Sequence, residues 1–511
     1  MQCLQGFKRN SSARHQITAA HSLPPQIIHE PIERKSMKKV LAAALAVALL
    51  QVPIAVRAAE TPTLVSTAVL GDISLKNASN ASVTDAVSDD QGVLLGGIGS
   101  DLYHDPKDPK DVFYVITDRG PNNDTVQPDK SAGTGFVVPG FSPIIMKVKL
   151  TGDSVEVLES RAITLKNRKG VSGLPNVKGY DAVPTDVKGI TASSLYNVAG
   201  QDSEGIIRLS NGQYWIVDEY APSLTNLSKE AVVKRRYVPT NWLGTSTDFS
   251  IAKSIPEIYL KRKANRGFEA LAVTPDERTL FIGLQSPLLN PSSTVGNASL
   301  ATRILRFDIR SKTFTGEFVF GFEKPAVVDA KSTKASDLKL SALVALDSET
   351  LIVQERTDNS FLLSTFKIKD SANILGSKWD QVATSPSLET YSGSGTNSEI
   401  EALIALSEKK IFFNSTSIPS MPMKIEGIAV LDSDHIVVVN DNDFNFAYNA
   451  TSGKVENGSV RTSFLTIKLA TPLPTTPELS LAKYGKPCVS DGAKISGLTC
   501  TANGRELRWR R

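Results

Sequence analysis

NRGFEALAVTPDERTLFIGLQSPL, residues 265–288, is the stretch whose reading decides the fold. Glu269–Val273 is a short apolar run, Thr274–Thr279 carries turn chemistry, and Leu280–Leu284 is a second apolar run, so the segment reads as a β-hairpin. Neither run alternates with polar residues. Each strand is therefore expected to be covered on both faces rather than half-solvated. Polar groups stand only at the ends, with Asn265, Arg266 and Glu269 before the first strand and Gln285 and Ser286 after the second.

The same phrase recurs along the chain. Glu204–Leu209 turns at Ser210–Gly212 into Gln213–Val217 and ends in Asp218-Glu219-Tyr220. Ser341–Leu346 leads to Leu351–Val353 and Gln354-Glu355-Arg356, and Glu426–Leu431 leads to His435–Val439 and Asn440-Asp441-Asn442-Asp443. A looser copy begins at Gly97 and runs through Val112–Ile116 to Thr117-Asp118-Arg119-Gly120, and Glu401–Leu406 with Ile411–Phe413 reads as further strands inside one unit. Recurring strand–turn–strand units without long helical patterns between them point to radial repetition, an all-β β-propeller. Starts at 97, 204, 269, 341 and 426 leave gaps of 107, 65, 72 and 85 residues. A blade takes roughly 40–50 residues, so each gap holds a blade plus an insertion, and the first has room for two. Five to seven blades are allowed, and six fit best.

The ends of the chain carry different signals. Residues 1–36 show little periodicity. Met37-Lys-Lys39, the apolar run Val40–Val56 and the small residues before Ala59 make a secretory signal cleaved after Ala58, with residues 1–36 as a mis-called extension. The run is too short and too interrupted, by Gln51 and Pro53, for a membrane span. The expected division is a presequence over 1–58, a propeller over 59–470 and a strap and tail over 471–511, in a periplasmic or secreted protein with no membrane attachment after signal removal.

Removing residues 1–58 takes away eight basic and two acidic residues, leaving 49 Lys/Arg (57 − 8) against 51 Asp/Glu (53 − 2). The formal charge moves from +4 to −2, so the basic balance belongs to the presequence and supports no nucleic-acid partner. Cys488 and Cys500 then remain as an even pair, which in an oxidising compartment predicts one disulfide.

The chemistry is narrowed by elimination. Past residue 58 only His104 and His435 remain, too few for an imidazole-built zinc site, and no Gly-x-Ser-x-Gly elbow is present. The repeats instead offer carboxylates, amides and arginines at corresponding strand ends. Oxygen donors of this kind suit Ca²⁺, or Mg²⁺ or Mn²⁺. The expected metal ligands are Asp118, Glu204, Asp218, Glu269, Glu426 and Asp441, since equivalent positions of successive blades converge on one axis. Arg119, Arg266 and Arg356 suit a phosphate or carboxylate, because a guanidinium grips two oxygens at once.

Asp118-Arg-Gly-Pro121, Gly173-Leu-Pro-Asn176, Glu204-Gly-Ile206, Trp215–Tyr220, Asn265–Glu269, Gln285–Leu288, Ile425-Glu-Gly427 and Asn440–Phe444 together resemble the phytase-like family, described as having esterase-like activity of phytase. The resemblance covers about residues 90–470. It implies an exported propeller with phosphoesterase activity, in which Glu204, Glu269 and Glu426 work with Arg119, Arg266 and Arg356 on a small-molecule phosphoester. Departures from the usual wording are Ala221 in Asp-Glu-Tyr-Gly-Pro, Ala270 in Glu-Gly, and Ser341 where an acid would complete its repeat. That repeat is expected to reach the site only through Glu355 and Arg356. The same residues also fit a non-catalytic binding propeller with structural Ca²⁺, or a metal-dependent ester or lactone hydrolase.

Overall fold

The computed structural model describes residues 60–78, 87, 89–127, 129–189, 195–393, 395–449 and 451–477, with the short segments 494–495, 498–503 and 506–510. The expected signal segment lies outside the described residues. Among those described, no helix is long and apolar enough to cross a membrane.

The described residues are predominantly β, with 42% strand, divided among several sheets, and 12% helix. Antiparallel meanders follow one another in sequence. The first is Leu102–Tyr103, Val112–Ile116, Ile144–Thr151 and Ser154–Ala162. The second is Ser203–Arg208, Tyr214–Asp218, Ser223–Leu227 and Val233–Pro239, extended by the parallel strand Ser250–Ile255. Phe268–Val273, Thr279–Leu284, Ala301–Asp308 and Thr313–Gly321 make the third. Lys339–Ala345, Thr350–Arg356, Phe361–Lys367 and Glu408–Asn414 make the fourth. The fifth, Ile425–Val430, His435–Asn440 and Ser463–Lys468, takes its fourth strand from the other end of the chain, Thr63–Val69. The hairpin of residues 265–288 is thus two adjacent strands of the third meander.

The reason for strands apolar on both faces is now visible: each sheet packs against two neighbours. Ile116 and Ile145 meet Ile206 and Ile216 between the first and second meanders. Trp215 and Tyr237 meet Leu271 and Phe307 between the second and third. Phe281 and Phe318 meet Leu343 and Leu362 between the third and fourth. Ile352 and Leu363 meet Ile428 and Leu465 between the fourth and fifth. Phe113 and Ile144 meet Val437 and Phe464, which brings the fifth back to the first. The five opening strands likewise stand beside one another in a closed circuit.

Five meanders are found among the described residues where the spacing favoured six. The 107-residue gap holds one meander plus a separate three-stranded sheet of Asn122–Val126, Ala132–Phe136 and Val183–Asp186. A second correction concerns Glu401–Leu406, read as strand. Ser398–Ala405 is an α-helix whose Asn397 side chain accepts hydrogen bonds from the amides of Glu399 and Ile400. That cap, with Glu, Ala and Leu behind it, favours helix over the strand pattern. Ile411–Phe413 do lie in a strand, Glu408–Asn414.

The expected disulfide is also corrected. Among the described residues no cysteine pair stands at bonding distance, and Cys488 lies outside them. Cys500 sits in the hairpin strand Leu498–Asn503, opposite Trp509 of Glu506–Arg510. The strand that carries Cys500 is paired by its backbone to Lys494–Ile495 on one side and to Glu506–Arg510 on the other, so it is held in place without a cross-link.

Candidate metal centre

The site is built by a defect repeated in the opening strands. In the third meander Phe268 faces Leu284 and Ala270 faces Gly283, which leaves Glu269 as an extra residue in a β-bulge. The same irregularity leaves Glu204 between Ser203 and Gly205, Ser341 between Leu340 and Ala342, and Glu426 between Ile425 and Gly427. A bulge re-aims a side chain without ending the strand, and here it does so at equivalent places on four neighbouring strands. Close approach of the strands requires small residues beside it. A Cβ on Gly427 would come 2.7 Å from the backbone nitrogen of Leu102, and one on Gly267 would come 2.2 Å from the carbonyl oxygen of Glu219.

Glu204, Glu269 and Glu426 are buried, and each offers a carboxylate oxygen within 4.8 Å of the others. Asp202, Glu204 and Glu219 form a second such group, and Asp118, Asp441 and Asp443 a third, Asp443 alone being exposed. Burial, then repulsion from Glu269, holds Glu204 well above the usual carboxylate range. The same two causes raise Glu219 well above it. Burial pushes Glu426 up to about 8, against the opposing pull of Arg356. Asp441 is raised to about 7 by burial and by Asp443 beside it, and Asp118 is held well above its ordinary value by burial and Asp441.

Few cations answer these acids. Arg356 is fully buried. Its guanidinium contacts Glu426, lies 3.5 Å from Oε1 of Glu269 and donates to Ser341 Oγ at 2.6 Å. Arg119 pairs with Asp202 at 2.8 Å and donates to Asn265. Lys424 pairs with Asp443. Arg266 donates to Ser286 Oγ at 3.1 Å and has no ion pair among the described residues. Glu269 also accepts from Gln285 Nε2 at 2.5 Å.

Two expected residues stand elsewhere. The Asp218 carboxylate accepts from the amides of Asp202 and Tyr220 at 3.1 and 3.0 Å and from Ser223 Oγ at 3.3 Å, so it fastens a turn and joins none of the acidic groups. Glu355 pairs with Lys409 at 2.7 Å and accepts from the amide of Glu323, apart from the carboxylate groups. Asp202, Glu219 and Asp443 are members that sequence reasoning did not select. Glu219 was within reach, since it adjoins Asp218 in a quoted motif.

The donor set fits a divalent cation. It is all oxygen. His104 is bonded to the carbonyl of Val112 and His435 to Asp432, so no imidazole joins it. Oε1 of Glu219 is buried with no hydrogen-bond partner, an orphan acceptor of the kind a bound cation satisfies. Clusters of buried carboxylates that repel one another in the free protein can coordinate such an ion.

A protein of Arthroderma benhamiae, named as an uncharacterized secreted protein, is 30% identical over 138 residues, covering 23% of this chain and 26% of that one. The match therefore spans about a quarter of that relative's length. Among solved structures, a protein from Lactobacillus plantarum aligns over 72% of this chain and 84% of its own at 13% identity, with a TM-score of 0.26. A luciferin-regenerating enzyme aligns over 75% and 94% at 10% identity, with a TM-score of 0.31. The family model described as esterase-like activity of phytase matches residues 93–444, from the first meander through the first two strands of the fifth and over all the clustered carboxylates, and the chain belongs to this phytase-like family.

Proposed function

We propose that this protein is an exported phosphoester hydrolase, a five-bladed β-propeller whose axial carboxylates hold Ca²⁺. The observation that carries the reading is the meeting of Glu204, Glu269 and Glu426, from three different strands, with Arg356 set against two of them. Family membership supports hydrolysis in general. The choice of phosphoesters rests on the arginines beside the acids.

In this reading Glu204, Glu269 and Glu426, with Asp202 and Glu219 alongside, hold the cation, and Asp118 and Asp441 widen the anionic rim. A bound Ca²⁺ supplies Lewis acidity and an acidified water. The chain's own residues do the rest. Arg356, fixed by Ser341 and by the carboxylates of Glu269, Glu426 and Asp358, orients Glu269 and Glu426. Arg266, which makes no ion pair among the described residues, is the group assigned to bind a phosphoryl oxygen, and a guanidinium suits that task by geometry as well as charge. Arg119, tied to Asp202, positions that carboxylate.

The test is elemental analysis of purified protein, followed by a panel of phosphomonoesters, phosphodiesters, carboxylic esters and lactones with and without chelator. Chelator-sensitive release of phosphate is expected. Turnover of carboxylic esters or lactones alone would move the assignment to that class. A folded, Ca²⁺-loaded protein that hydrolyses nothing would make it a binding propeller.

A further inference from the structure

The carboxylates gather at the beginnings of the opening strands, and a separate cavity lies at their far ends. It has a volume of about 480 Å³ and is lined from all five meanders, by Leu102, Ile207, Leu271, Val344 and Ile428 among others. Glu269 and Val273 mark the two ends on one strand. Leu271 and Val273 both line the cavity, two and four residues past Glu269, so at about 3.3 Å per residue the lining runs from roughly 7 to 13 Å beyond the bulge. Aliphatic residues of all five opening strands contribute to the lining, and none of the clustered carboxylates is among it.

Trp509, from the C-terminal hairpin, also lines this cavity. It is 2% exposed, and its indole Nε1 is buried with no hydrogen-bond partner among the described residues. An unpaired buried donor is destabilising, and interiors are otherwise packed almost without voids. An apolar space of several hundred Å³ beside an unsatisfied donor has the size and polarity of a small-molecule site. Four carboxylates and two lysines also line it, and most are engaged elsewhere: Asp105 with Arg208, Asp108 with Lys147, Lys110 with Asp432, Glu277 with Ser210, and Asp101 with the amides of Leu102 and Ile206, so they offer a charged ligand little to bind.

We infer that this axial cavity binds a neutral, largely apolar molecule with one hydrogen-bond acceptor, which the Trp509 indole N–H satisfies. Medium-chain esters and aromatic ketones are of this class. The inference does not depend on the hydrolase reading, because the cavity shares no cluster carboxylate with it.

The probe is the neutral aromatic ketone prodan, titrated into the full chain and followed by its own emission and by quenching of tryptophan fluorescence. Saturable binding of one molecule is expected. Trp509→Phe removes the donor and should weaken binding about five- to tenfold. Val344→Phe narrows the cavity and should weaken it at least as much, while Ca²⁺-induced thermal stabilisation of the same variant stays at the wild-type level. Circular dichroism checks folding, and should one variant fail to fold, the other decides. Absence of saturable binding to the wild type, or unchanged affinity in a folded variant, overturns the inference.

Discussion

The hydroxyl of Ser341 donates to Oε1 of Glu269 across 3.1 Å, from the bulge where neighbouring strands carry a glutamate. The fourth meander thus gives up a carboxylate of its own and supports the third meander's. It also supplies Arg356, whose Nε donates to the same hydroxyl. Serine and arginine together make an orienting pair, and this arrangement sets the first expectation.

Glu269→Gln keeps the size of the side chain and removes one ligand charge. Cation affinity tracks the charge count of a carboxylate site. Calcium titration by calorimetry should show at least a roughly tenfold loss of affinity, and any hydrolytic rate should fall with it.

Arg356→Ala leaves Glu269 and Glu426 buried without their shared cation. Breaking a buried pair in this way costs about 3–5 kcal/mol. Urea unfolding in chelator should show that loss, and added Ca²⁺ should restore more stability to the variant than it adds to the wild type.

Asp218→Ala separates a structural acid from the cluster acids. It strips two buried amides and the Ser223 hydroxyl of their acceptor, with an expected cost of about 1–3 kcal/mol. Glu219→Gln should do the reverse, with little change in stability in chelator and clear loss of calcium affinity.

Stability without cation should fall as pH rises. Glu426 is raised from its ordinary 4.5 to about 8 and Asp441 from 3.8 to about 7. Between the ordinary and raised values the folded chain holds protons that the unfolded chain has lost, so unfolding free energy decreases with increasing pH. Melting temperatures in chelator should therefore drop from about pH 4.5 to pH 8. Calcium affinity should climb over the upper part of that window as the same protons leave. A flat profile in chelator would contradict the burial of these groups.

Much of the architecture was legible because the repeat was written in apolar runs. Strands such as Phe268–Val273 and Thr279–Leu284 announced burial on both faces, and packing between successive sheets explains it. The glutamates of the bulges were legible as a recurring letter at a recurring place. The parity of Asp218 and Glu219 was not. Alternation assigns sides only within a strand, and Glu219 lies one residue past the end of Tyr214–Asp218. Nor could spacing alone show that the 107-residue gap carries one meander and a side sheet. A tally of residues cannot distinguish a blade from an insertion of equal length.

Thr63–Val69 completes the sheet of Ser463–Lys468, so the two ends of the folded circuit are held in one hydrogen-bonded ladder. The seam cannot form until nearly the whole chain has been synthesised. Until then the fifth sheet lacks its outer strand and leaves an edge open to wrong partners. Folding is consequently governed by the most distant pairing in the molecule, a high-contact-order step that local hairpins cannot hasten. The same ladder makes the finished circuit a latch, in which loss of either terminal strand opens the sheet that sits between the first and fourth meanders.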